Sequence, residues 1–150
     1  MSLFISNLYP QTIWFAFAYY DPSCGNENQN FRKQGWWQFD PQTNPGVAQF
    51  GVDWWKVDLK TVNRYAYFFA GSLDGATWGG TGNAWLDLTK NKFSQCAFDN
   101  SGDDWWVDFG ELDFRLASIN PPNPEPWDAW NLTVYIGPNA GEWQASHWPL

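Results

Sequence analysis

Apolar and polar positions in this chain alternate at the two-residue period of β-strands, and they do so in short stretches. Leu3–Asn7 is a short apolar start. Thr12–Tyr20 reads as a strand rich in β-branched and aromatic residues. Ile13, Phe15, Phe17 and Tyr19 fall on one face, and Trp14, Ala16, Ala18 and Tyr20 on the other. Both faces are apolar, so this strand is predicted to be central or covered on both sides. Asp21-Pro22 ends it, and Asp21–Asn30, rich in Asn, Gly and Pro, reads as a loop.

Gly35–Asp40, Val47–Phe50, Trp54–Lys60 and Asn63–Ala70 are the next predicted strands, the last stopped by Gly71. Asp74-Gly75 and Gly79-Gly80-Thr81-Gly82 mark turns. Phe93–Phe98 follows, then a loop over Asp99–Asp103. Trp105–Phe109 and Leu112–Leu116 flank Gly110 and read as two arms of a hairpin. Asn120–Pro126 holds four prolines and is a stiff connection. Trp130–Ile136 is the last predicted strand, and Glu142–Leu150 is left unassigned. Helix signals are poor: Gly and Pro number 13 and 10, and Met occurs once. About eight short strands with turn signals between them predict an all-β chain. The expected architecture is a single-domain antiparallel β-sandwich over residues 1–150, with little or no helix.

Composition narrows the partners. Acidic residues outnumber basic ones 16 to 8, a net charge of −8. Nucleic-acid binding needs Lys and Arg to neutralise phosphates, so it is not expected. The longest apolar run, Ile13–Tyr20, is far short of the roughly 20 residues a spanning helix requires. The N-terminus lacks a basic region, a long apolar stretch and a small-residue cleavage site, which predicts a cytoplasmic chain. A leader removed beforehand would leave the same trace and imply secretion. Cys24 and Cys96 are expected to stay free in a reducing cytosol, with Cys96 a small core filler.

Thirteen Trp include three doublets, at 36–37, 54–55 and 105–106. Successive strand residues face opposite ways, so one ring of each doublet faces outward. That ring needs a cover: a loop, a partner chain or a ligand. Trp beside Asp and Asn suits sugars, because the ring stacks on a pyranose face while carboxylates and amides take the hydroxyls. Trp54, Trp55, Trp78, Trp85, Trp105 and Asp103 are the candidate ligand-binding residues.

Asp99, Ser101 and Asp103 gather oxygens of the kind Ca²⁺ takes, but without EF-hand spacing, so a solvated turn is preferred and no metal is expected. No cofactor is expected either. The single imidazole is His147, no nucleophile motif surrounds any Ser or Cys, and no carboxylate pair stands out.

The order Phe17-Ala18-Tyr19-Tyr20-Asp21, Gly35-Trp36-Trp37-Gln38-Phe39-Asp40-Pro41, Arg64–Ala70 and Trp78-Gly79-Gly80 resembles the bacterial domain-of-unknown-function family 1036. Phe93–Cys96 and Trp105-Trp106-Val107-Asp108 are similar to its later elements, with altered spacing. The resemblance covers roughly residues 4–110. It implies an all-β domain and no borrowed activity, and it assigns Trp36 and Trp37 mostly to packing. Asp53–Lys60 looks like an insertion relative to that pattern, which puts Trp54-Trp55 forward as specific to this protein.

The expected function is a non-enzymatic, lectin-like module with a glycan ligand. The rivals are a protein-interaction domain that self-assembles through exposed Trp, and a cryptic glycoside hydrolase.

Overall fold

The two apolar faces of Ile13–Tyr20 set the architecture, because each lies against a different core. A computed structural model describes residues 2–25, 30–41, 55–58, 63–82, 84–114 and 131–147. Within them the strands are β1 (Ser2–Asn7), β2 (Ile13–Tyr20), β3 (Phe31–Phe39), β4 (Trp55–Asp58), β5 (Tyr65–Ser72) and β6 (Thr77–Trp78). They continue with β7 (Ala84–Leu88), β8 (Phe93–Cys96), β9 (Trp105–Asp113), β10 (Asn131–Ile136) and β11 (Trp143–His147). The only helical turn among the described residues is Pro22–Cys24.

These strands form an all-β sandwich. One sheet has the order β11-β10-β1-β4. The other runs β7-β9-β5-β2-β3-β8, with β6 paired to β5. All pairings are antiparallel except β1 with β10, which is parallel in the register Leu3 to Leu132 and Ile5 to Val134. Among the described residues no helix is long and apolar enough to cross a membrane.

The first core lies between the sheets. Leu3 and Ile5 of β1 and Leu132, Val134 and Ile136 of β10 meet Ile13, Phe15 and Phe17 of β2 and Phe68 of β5. Phe15 stacks between Phe17 and Phe68 at ring separations of 5.3 and 5.5 Å. The second core lies on the other face of the larger sheet. There Ala16 and Ala18 of β2 meet Phe69, Leu86, Leu88, Phe93, Val107 and Phe109. Among the described residues no third sheet covers this face. The sheet curls instead, until its two edge regions meet.

Lys33 of β3 makes that closure. Its ammonium donates to Asp87 Oδ1 at 2.5 Å, to Asp87 O at 2.7 Å and to Asp99 O at 2.7 Å. Trp36 Nε1 donates to Thr89 O at 2.9 Å beside it. Burial pushes the Asp87 carboxyl up, but Lys33 and the Ser101 donors outweigh burial and hold it below the usual carboxylate range.

Four features differ from the sequence expectations. Cys24 and Cys96 are not free; they form a disulfide with Cα atoms 5.4 Å apart. It ties the turn after β2 to the end of β8, an encounter that 72 residues of separation concealed. Second, residues 105–113 are one unbroken strand, not a hairpin. Gly110 is a site of close approach: a Cβ there would come within 2.7 Å of the Phe68 ring and 3.1 Å of Trp143. Third, Ala84–Leu88 and Trp143–His147 are strands that the apolar pattern did not show. Fourth, β5 continues through Gly71 to Ser72. The expected Val47–Phe50 strand and the Asn120–Pro126 connection lie outside the described residues.

Candidate binding surface of the curled sheet

The bulge in β3 explains the first Trp doublet. Phe15 pairs with Trp37 and Ala16 with Gly35, which leaves Trp36 without a partner on β2. Trp37 packs edge-on against Phe17 in the first core, at 5.1 Å. Trp36 packs into the second core against Phe93 and stacks on Trp105, at 5.8 and 6.0 Å. Gly35 makes room, since a Cβ there would lie 2.8 Å from the Phe93 ring. Both rings are packing residues.

Trp105-Trp106 behaves differently. In the β7–β9 register, Leu88 faces Trp105, Leu86 faces Val107 and Ala84 faces Phe109, and these side chains point into the second core. The alternate positions point away from it. Trp85 faces Asp108 and Asp87 faces Trp106, so Trp85 and Trp106 are diagonal neighbours on one outward face. Such positions are about 7–8 Å apart. Trp85 is 56% exposed and Trp106 54%.

Carboxylates surround the two rings. Trp106 Nε1 donates to Asp104 Oδ1 at 2.9 Å. Asp104 has φ of 50°, the left-handed region that Asp tolerates better than most residues. Asp108 accepts from the Gly82 N–H with both oxygens, at 3.0 and 2.9 Å, and so is held beside Trp85. Asp103 is exposed in the turn leading into β9.

A cleft of about 260 Å³ adjoins this face, where the curled sheet stays open between β7 and the end of β8. Trp85 and Phe98 stand at its rim, Phe98 at 56% exposure, and Ala18, Phe31 and Tyr67 lie deeper. Burial, and then the charge of Glu111 and a hydrogen bond to it, push the Tyr67 hydroxyl above its usual range.

Of the residues singled out from sequence, the structure places Trp85 exposed on β7 and Asp103 exposed in the turn before β9. Trp78 is not a surface residue. It is 1% exposed in the first core, donates its indole N–H to Asn139 O and meets Tyr9 edge-on. Trp105 faces inward, so the outward member of its doublet is Trp106, which the alternation left undecided. Trp54 lies outside the described residues, and of Trp55 only the strand position in β4 is described.

The turn offered for Ca²⁺ serves the Lys33 closure instead. Asp99 gives its backbone oxygen to Lys33, the Ser101 N–H donates to Asp87 Oδ2 at 2.8 Å, and Ser101 Oγ donates to Leu88 O at 3.0 Å. Among the described residues no three His, Cys, Asp or Glu side chains gather into a metal site. No protein-family model, curated protein or solved structure matches this chain.

Proposed function

We propose that this protein is a non-enzymatic carbohydrate-binding module whose ligand lies along the outward face of β7 and β9. The observation that carries the reading is the diagonal pair Trp85 and Trp106, two half-exposed rings on one rigid ribbon with Asp108 and Asp104 beside them. Each ring offers a platform for the C–H face of a sugar, and the carboxylates accept from its hydroxyls. Asp103, exposed in the turn before β9, and Tyr67, lining the adjoining cleft, are the further polar candidates. The resemblance to family 1036 enters the proposal only as a shared packing pattern around Gly35-Trp36-Trp37. The Cys24–Cys96 disulfide supports work in an oxidising compartment, since such bonds are rare in a reducing cytosol.

A glycan array, followed by tryptophan-fluorescence titration of its hits, tests the reading. Trp85→Ala and Trp106→Ala each weaken a genuine hit about tenfold, the scale of one lost ring contact. An array without hits, or hits that survive both substitutions, overturns it. Self-association that buries Trp106 would favour the rival reading of an assembly domain.

A further inference from the structure

We propose that the opposite end of the second core holds a separate binding site, for small aromatic or aliphatic monocarboxylates. A depression of about 470 Å³ opens there, within the range of small-molecule pockets. Four strands each contribute one ring to it: Trp14 from β2, Trp36 from β3, Phe69 from β5 and Trp105 from β9. The rings brace one another. Trp36 and Trp105 stack at 6.0 Å, and Phe69 meets both edge-on, at 6.3 and 6.1 Å. The walls are therefore fixed before any ligand arrives, which lowers the ordering cost of binding.

The polar groups select the head group. Lys90 is the one charged residue among those described around the depression. Its place at the rim is set by the preceding residue, because Thr89 O holds the Trp36 indole. Arg32, Lys33 and Arg64 are paired with Asp21, Asp87 and Asp113, and the exposed Lys92 is not among the residues lining the depression. Lys90 makes no such pair among the described residues. The indoles of Trp14 and Trp105 form part of its lining. One ammonium beside an aromatic floor matches a single carboxylate on an apolar body. No carboxylate is among the described residues lining the depression, so sugar hydroxyls and ammonium groups find no ionic acceptor among them. In a chain of net charge −8, a cation beside the depression marks where an anion can approach.

The test compares phenylacetate, 2-phenylethanol and phenethylamine, which share one apolar body and differ in head-group charge at pH 7. Binding is read from the indole N–H resonances of the ¹⁵N-labelled protein. Phenylacetate is expected to saturate below about 10 mM, to bind about tenfold more tightly than the alcohol, and to leave the amine without saturable binding. Lys90→Gln should abolish the preference of acetate over alcohol while the alcohol still binds. Trp14→Leu should weaken both. The double substitution of Trp85 and Trp106 by Ala should leave phenylacetate binding unchanged, because those rings stand on the other side of β9 from Trp105. Equal binding of all three compounds, no saturation by phenylacetate, or a preference that survives Lys90→Gln overturns the proposal.

Discussion

Lys33 Nζ lies 2.5 Å from Asp87 Oδ1, although three strands separate β3 from β7 along the sheet. Both side chains are buried, and every ammonium proton of Lys33 has an acceptor. A satisfied pair of this kind is neutral to moderately stabilising, whereas removal of one partner strands a buried charge. Lys33→Met is therefore expected to cost about 3–5 kcal/mol in chemical denaturation. Lys33→Met combined with Asp87→Leu should recover part of that loss.

The same pair sets a pH response. Asp87 titrates below the usual carboxylate range when folded, and Asp21 is lowered from 3.8 to about 2 by the Ser23 hydroxyl and the Arg32 guanidinium. The unfolded chain takes up these protons first, so their contribution is complete above the ordinary carboxylate range and is lost as the pH falls through the folded values. Denaturation midpoints should be level near neutrality and should drop between pH 3.8 and about 2. Asp87→Asn should flatten part of that drop.

The disulfide closes a long loop. A separation of 72 residues corresponds to about 4 kcal/mol in the chain-entropy account. Cys24→Ser together with Cys96→Ser should lower the melting temperature by several degrees. A reductant should lower the wild-type value in the same way and leave the variant unmoved.

Gly110 offers a sharper probe of packing. Its missing side chain lets Phe68 and Trp143 close over β9, so Gly110→Ala is expected to cost about 1–3 kcal/mol through overpacking. Gly75→Ala also destabilises, but for backbone reasons: its φ is 90° and nothing crowds its Cβ position. Enlarging the two sites further separates the mechanisms, since only the site facing Phe68 and Trp143 worsens with side-chain volume.

Tryptophan position decides tryptophan cost. Trp78→Ala should destabilise by about 3–5 kcal/mol, as for any buried large ring. Trp85→Ala and Trp106→Ala should stay within about 1 kcal/mol of wild type, since both rings are more than half exposed. Urea midpoints of the three variants check the ranking.

Much of the fold was legible from the chain. The apolar faces of Ile13–Tyr20 showed a strand covered on both sides, and β2 is that strand, with Phe15 in one core and Ala16 in the other. What was not legible has local causes. β7 is short and carries Asp87, a buried carboxylate whose partner lies 54 residues away in sequence. Gly110 has the residue type of a turn but the role of a spacer. The doublet rule correctly required Trp105 and Trp106 to face opposite ways. Alternation alone could not say which side was core, and the second core existed only once the sheet had curled. Trp78 stood beside the Gly79-Gly80 turn and read as surface, yet that turn folds it inward, where Asn139 receives its indole N–H.

The parallel pairing of β1 with β10 has a consequence for the order in which this chain can mature. Every strand of the larger sheet lies between residues 13 and 113, so that sheet can assemble while the ribosome is still adding residues. The smaller sheet cannot. Its first strand can pair early with β4, but the other side of its ladder, with Leu132, Val134 and Ile136 of the first core, arrives only with Asn131–Ile136. Until then Phe15, Phe17 and Phe68 lack the part of their cover that β10 supplies. Synthesis therefore passes through a half-built sandwich whose first core is only partly covered.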